Sequence, residues 1–410
     1  MKRFFEIFVF PGVMVIGVAL FLGVASCPAS AQGRIESVFD GHRIIYPQSS
    51  IPQPGRHHTN YFFVDSDVPN LNGPNPSDET PASVACVYQL VTGPAGCPIA
   101  TSKNLPTGGI GAIAIVDAGD YPTAAADLQA FSAQFGIAPP DLTVKWPGIT
   151  KPPVYSDWLV EEALDIEWAH AMAPQAKLFL VESVLCTNSQ CATDPTWAAI
   201  KLAANLVFKA GGGVVSMSFG DAEDPREINW DKFFTKPGVI YFAASGDSGL
   251  GVSIYPGSSP NVVSVGGTRF NRDHNGNFLN ETYYTGGGGG NLSPYEPIPS
   301  YQSGVSGIVG THRGYPDVAS DYCCAAIYLQ GGWYSVGGTS WGSPTFAGIV
   351  NAAGNRRISS VDELTWMYGE LANPTEYKAD FNDITQGDSR CLVGFDQCTG
   401  IGSPRTYAGK

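Results

Sequence analysis

Between Ile110 and Ala243 the chain alternates apolar runs of strand length with segments of helical spacing, and few architectures accept that order. Ile110 to Val116 reads as a buried strand, and Thr123 to Phe135 as a helix. A helix near Asp157 to Met172, a strand Lys177 to Val181 and a helix Pro195 to Lys209 follow, then strands Val214 to Met217 and Val239 to Ala243. This alternation predicts an α/β fold whose mainly parallel sheet is flanked by helices. Ligands of such sheets sit beyond the carboxyl ends of the strands, which directs attention to Asp117, Ser218-Phe219-Gly220 and Ser245-Gly246-Asp247.

The flanking regions are less regular. Residues 32–106 are rich in Pro, Asn, Ser and Asp and read as a loop-rich N-terminal arm, with one domain expected over 107–410. Within it, Gly257 to Gly338 predicts loops with short strands. Met1 to Gly33 opens with Lys2 and Arg3, runs through apolar Ile7 to Ser26 and closes on Ala29-Ser30-Ala31, the pattern of a secretory signal peptide over 1–31. Val24-Ala25-Ser26-Cys27 is also similar to a bacterial lipobox, so lipid anchoring through Cys27 stays open. No other apolar run reaches spanning length, and a secreted chain with no membrane span after signal removal is expected.

Export agrees with the cysteines. Setting Cys27 aside, Cys86, Cys97, Cys186, Cys191, Cys323, Cys324, Cys391 and Cys398 form close pairs suited to short-loop disulfides, with connectivity open. No Cys-x-x-Cys pair with matching histidines points to zinc. Acids outnumber bases 37 to 23 and no Lys/Arg cluster occurs, which excludes a nucleic-acid footprint.

Gly338-Thr339-Ser340-Trp341-Gly342 matches the G-x-S-x-G nucleophile turn, but all six histidines precede Ser340, so the order Ser, acid, His cannot be assembled. A Ser nucleophile here needs another base. Glu161 and Asp165 lie four residues apart on one helix face, close enough for their carboxyls to share a proton. The plainer alternative is a solvated acidic face, because Glu162 and Glu167 share that helix.

Further segments fall into a recognisable order. Glu161-Glu162-Ala163-Leu164-Asp165-Ile166-Glu167 with Ala173-Pro174, then Val215-Ser216-Met217-Ser218-Phe219-Gly220, Ala244-Ser245-Gly246-Asp247-Ser248-Gly249 and Tyr255-Pro256-Gly257-Ser258-Ser259-Pro260 come first. Arg313-Gly314-Tyr315-Pro316-Asp317-Val318-Ala319 and Gly338-Thr339-Ser340-Trp341-Gly342-Ser343-Pro344 complete the series. Together, over about Ile110 to Pro404, they resemble the sedolisin family, the serine-carboxyl peptidases on a subtilisin-like three-layer fold.

The resemblance implies Ser340 as nucleophile, Glu161 as general base, Asp165 as its orienting partner and a protonated Asp247 as oxyanion donor. It implies substrate pairing along Ser218, Phe219 and Gly220, and acid-acting chemistry, since a carboxylate is a weak base at neutral pH. Trp341, Phe219 and Trp158 would line subsites or serve as core. It further implies a Ca2+ site in Phe381 to Gly400, with carboxylates Asp383 and Asp396, carbonyls of Ile384, Leu392 and Gly394, and a Cys391 to Cys398 bridge tying the loop. Two departures stand out: the arm is too short for the family's long N-terminal pro-domain, and Asp117 stands where relatives often carry the longer Glu in the acid network. The expected function is a secreted, monomeric serine-carboxyl endopeptidase acting on proteins or peptides. The alternative is a catalytically weak or inactive binding protein on the same fold, with lipid anchoring through Cys27 left open.

Overall fold

The computed structural model describes residues 35–39, 41–53, 55–185, 195–285 and 288–410; the signal segment, Cys27, Cys186 and Cys191 lie outside the described residues. The arm carries β1 (Ile35–Phe39), β2 (His42–Tyr46), β3 (His58–Thr59), β4 (Phe62–Val64) and α1 (Pro81–Val87). The alternating block is β5 (Ala112–Ala118), α2 (Ala124–Phe135), β6 (Leu142–Lys145), α3 (Leu159–Met172), β7 (Lys177–Ser183), α4 (Pro195–Lys209), β8 (Gly213–Met217), β9 (Phe219–Ala222) and β10 (Val239–Ala244). There follow β11 (Ile254–Tyr255), β12 (Val263–Arg272), β13 (Phe278–Tyr283), β14 (Asn291–Pro297), α5 (Ser306–Val309), β15 (His312–Tyr315) and β16 (Val318–Asp321). The chain closes with β17 (Ala325–Leu329), β18 (Gly332–Gly337), α6 (Thr339–Ala353), α7 (Ser360–Glu370), α8 (Pro374–Asp380), β19 (Phe381–Asn382) and β20 (Ser403–Pro404).

The main sheet runs β13-β12-β10-β8-β5-β7-β6, with β16 also paired to β12, and every pair except β12 with β13 is parallel. Inside it lies β5, next to the central β8, with all seven residues buried, as a strand covered on both faces must be. Ile113 and Ile115 face a core shared with α2, α3 and α6, whereas Ala112, Ala114 and Val116 face the α4 side.

The approach of α6 to α3 positions the site. A Cβ on Gly348 would lie 2.6 Å from Met172 Cβ and 3.0 Å from the Ala169 carbonyl, so only glycine allows this contact. Ala169 lies eight residues after Glu161, and Gly348 eight after Ser340, so the close packing brings the two helix starts together. Trp168 and Trp341 reinforce it edge to face at 4.8 Å.

Three expectations are corrected. The arm is not simply loop: β2 and β4 enter an antiparallel sheet ordered β1-β2-β4-β18-β17, burying Ile44, Ile45, Phe62 and Val64. Strands this short leave little periodicity, and β18, which pairs with β4, lies far along the chain. Within Gly257 to Gly338, β12 is ten residues long and central to the sheet's edge half. Finally, α3 has no solvated acidic face, because all fourteen of its residues are buried, including Glu162, Glu167 and His170.

Candidate active site

Ser340 sits in the first turn of α6, two residues after Gly338 at φ +132°. A Cβ at Gly338 would stand 2.0 Å from the Asn60 carbonyl oxygen and 2.8 Å from Asp247 Oδ2, so glycine is required on steric and conformational grounds. The Ser340 hydroxyl donates to the Ser218 carbonyl at 3.0 Å and accepts from the Asn60 amide at 3.1 Å. The Ser340 amide donates in turn to the Asn60 carbonyl at 3.1 Å. The Ser218 hydroxyl donates to Asp165 Oδ1 at 2.8 Å, linking nucleophile strand and acid helix.

Glu161, Asp165 and Asp117 form one buried carboxyl group cluster. Burial is the largest influence on each and holds their pKa values well above the usual carboxylate range. The charge of Asp117 is the next largest influence on both Glu161 and Asp165, so this shorter side chain does join the acid network. The Ser340 hydroxyl and Asn60 amide lie where they favour the charged form of Glu161. Neither forms a well-aligned hydrogen bond with it, because the hydroxyl is turned to Ser218. Catalytic contacts of this kind commonly tighten only with substrate bound.

The cluster extends in a direction the sequence did not suggest. Glu162 is pushed up by burial and then by Asp117, Glu182 and Asp120, while Lys151 opposes the shift and pairs with Asp120. Glu182, opposite Asp117 in the pairing of β7 with β5, is raised to about 7, chiefly by burial.

Asp247 follows β10; the residue is half-buried, but its Oδ2 is shut off from solvent. Its Oδ1 accepts from the Thr339 amide at 2.9 Å and hydroxyl at 2.8 Å, which favours ionisation, yet burial wins and raises its pKa to about 8. Its Oδ2 has no hydrogen-bond partner among the described residues. Asp247 is therefore a neutral carboxyl at acid pH with one free position, beside the Ser340 amide that serves Asn60.

Phe219 and Gly220 lie in β9, between β11 and the arm strand β3. β3 pairs antiparallel with His58 opposite Gly220 and Thr59 opposite Phe219, and the His57 ring stacks on Phe219 at 5.1 Å. Phe219, Trp158 and Trp341 are all buried. Asn60 is the residue sequence reasoning missed: it reaches Ser340 across 280 positions, with no local motif to reveal it.

At the C-terminal loop, Asp383 accepts from the Gly394 amide, and Asp396 from the amides of Leu392, Cys398 and Thr399. Burial raises Asp396 to about 6, and the charge of Asp383 adds to the shift. Two neighbouring carboxyls that repel each other, Asp396 buried and Asp383 half-buried, fit a hard cation in donor chemistry. The Cys391 and Cys398 sulfurs near Asp396 are joined as a disulfide and offer no thiolate. Cys86 with Cys97 and Cys323 with Cys324 are also bridged. Arg313 and Asp317 form a fully buried bidentate pair, at 2.8 and 2.6 Å, and Asp317 also accepts from the Ser264 amide and the Tyr368 hydroxyl. They hold β15 and β16 against β12.

Comparison with known proteins agrees with this fold. The Subtilase family model matches residues 160–351. Kumamolisin of Bacillus sp. is 30% identical over 383 residues, covering 80% of this chain and 62% of its own length. Sedolisin of Pseudomonas sp. is 28% identical over 289 residues, covering 60% of this chain and 47% of its own. The chain thus spans about half to three fifths of these relatives. The solved structure of Pseudomonas sedolisin, a serine-carboxyl proteinase complexed with two molecules of pseudo-iodotyrostatin, superposes with a TM-score of 0.64 at 23% identity, over 81% of this chain and 96% of that one. The sheet is subtilisin-like, and by these matches the chain is similar to sedolisin and kumamolisin.

Proposed function

We propose that this chain is an exported, acid-acting serine-carboxyl endopeptidase. Ser340 Oγ attacks the substrate carbonyl carbon and passes its proton to Glu161 in its ionised form, which the raised pKa makes a stronger base than an exposed carboxylate but less populated in acid. Asp165 orients this arrangement through Ser218, and the Ser340 amide with protonated Asp247 stabilises the oxyanion. The C–N bond then breaks, Glu161 returns its proton to the leaving amine, and water hydrolyses the ester to release the second product. Ser218, Phe219 and Gly220 pair with an extended protein or peptide substrate as an added strand.

The observation that carries this reading is the nucleophile lodged between a buried carboxyl cluster and Asp247, whose proton is held to about pH 8. The reading extends to a structural Ca2+ held by Asp383 and Asp396 with the carbonyls of Ile384, Leu392 and Gly394. That ion would neutralise the two carboxylates and take no part in the chemistry. Export rests on the N-terminal pattern; among the described residues no helix is long and apolar enough to cross a membrane.

The test is hydrolysis of an unfolded protein by the purified chain across pH 3 to 8, beside Ser340→Ala and Glu161→Ala. Acid-peaked activity lost in both variants is expected. Activity that survives Glu161→Ala, or peaks above pH 7, sinks the mechanism.

A further inference from the structure

A carboxyl donates a hydrogen bond only from the oxygen that carries its proton, and at Asp247 the two oxygens are not equivalent. Oδ1 already accepts twice, from the Thr339 amide at 2.9 Å and the Thr339 hydroxyl at 2.8 Å. That hydroxyl is turned toward Oδ1 by the Gly246 amide, which donates to it at 3.1 Å. The proton therefore belongs on Oδ2, the oxygen 2.8 Å from the position of a Cβ on Gly338.

One further side chain is built into this turn. Tyr322 directly follows β16 and is fully buried. Its amide donates to the Thr268 carbonyl at 2.8 Å, and its carbonyl accepts from the Gly338 amide at 2.8 Å, so its backbone ties β12 to the start of the nucleophile helix. A Cβ on Gly267 would lie 2.4 Å from Tyr322 Cδ2, so glycine there makes room for the ring. Phe62 at 5.1 Å and Tyr284 at 4.4 Å hold the ring in place. The Tyr322 hydroxyl and Asp247 Oδ2 are both shut off from solvent, and neither has an aligned partner. After burial, the charge of Asp247 is the largest influence raising the Tyr322 pKa, so the two groups are neighbours. Against the larger effect of burial, the Tyr322 hydroxyl joins Thr339 in favouring the charged form of Asp247. The other ionisable groups facing the pair are Tyr46 of β2, Glu161 of α3, Tyr283 and Tyr284.

From this placement we propose that Tyr322 is a positioning residue for the reaction, its hydroxyl directed at Asp247 Oδ2 so that this carboxyl is held and polarised as the oxyanion donor. The inference rests on the peptidase reading and adds a residue to it. A hydroxyl that donates to the protonated oxygen strengthens the outgoing bond, as hydrogen bonds in a chain polarise one another. Burial and the charge of Asp247 hold the phenol well above its usual range, so Tyr322 lends a hydrogen bond and keeps its proton.

The test is Tyr322→Phe, which keeps the ring against Gly267, assayed for hydrolysis of an unfolded protein from pH 3 to 10, with the thermal midpoint showing it folded. At pH 4 kcat should fall about 2- to 10-fold, the worth of one hydrogen bond, with KM unchanged. The alkaline limb should move up by about half to one pH unit, because Asp247 loses a group that favours its charged form. On an Asp247→Asn background the same substitution should add no further loss, since Tyr322 acts through that carboxyl. An alkaline limb that stays or moves down, a loss that multiplies with Asp247→Asn, or a rise in KM with kcat held would overturn the inference and leave the peptidase reading standing. A folded wild type inactive at every pH would overturn both.

Discussion

Replacing Asp247 with Asn should stabilise this protein at neutral pH and leave it nearly unchanged in acid. An Asp carboxyl ordinarily titrates near 4; here burial outweighs the two bonds from Thr339 and raises the folded value to about 8. A carboxyl whose folded pKa exceeds its unfolded one contributes stability fully below the unfolded value and loses it as pH rises toward the folded value. Between pH 4 and 7 the loss is three units at about 1.4 kcal/mol each, or about 4 kcal/mol. Asn keeps an acceptor for Thr339, and its amide stands where Oδ2 already lacked a partner. At pH 4 the two proteins should therefore agree within about 1 kcal/mol. Urea unfolding at both pH values, with each protein on a Ser340→Ala background to prevent self-digestion, measures the difference. The other buried carboxyls are common to both and cancel. A difference that does not grow with pH, or that favours the wild type at pH 7, would refute the claim that burial dominates at Asp247.

Other outcomes follow from the same structure. Glu161→Gln should lower kcat by roughly 100- to 10,000-fold, the usual worth of a general base, with the melting temperature held or raised because a buried carboxyl is removed; a loss under about tenfold would place the base elsewhere. Wild-type turnover should fall on the alkaline side with a midpoint at or below about 8, as Asp247 loses its proton and comes to repel the oxyanion, and a rate still flat at pH 10 would contradict that role. A chelator should lower the melting temperature of the folded chain if Asp383 and Asp396 hold Ca2+, and an unchanged melt argues against the ion. Arg313→Ala should destabilise by about 3 to 5 kcal/mol in urea unfolding, because Asp317 is left buried without its counter-charge; a change below about 1 kcal/mol would mean the pair is dispensable.

The alternating block was legible because a strand buried on both faces must be apolar throughout. Ala112–Ala118 and Val239–Ala244 lie within two residues of the expected bounds, and Pro195–Lys209 matches them. Ser340, Glu161 and Asp247 were legible as candidates because each stands near a strand or helix end within a segment of family-like sequence, and Asp165 because it lies one turn from Glu161 on the same helix. Glu182 and Asp120 were not, since nothing local distinguishes a carboxyl that will be enclosed from one that will be solvated. The arm misled because its strands are as short as two residues, too few to show alternation.

By itself, then, the chain's hydrophobic period determined the parallel sheet, and the positions of its histidines determined that a nucleophilic Ser340 must work without a following histidine. Only the tertiary structure decided that α3 is buried on every face, that Asp117 reaches the acid cluster, and that Asn60 lies across Ser340. Those outcomes depend on which distant segments pack together and on how much water they exclude, and burial of that kind, unlike periodicity, leaves no mark on neighbouring residues.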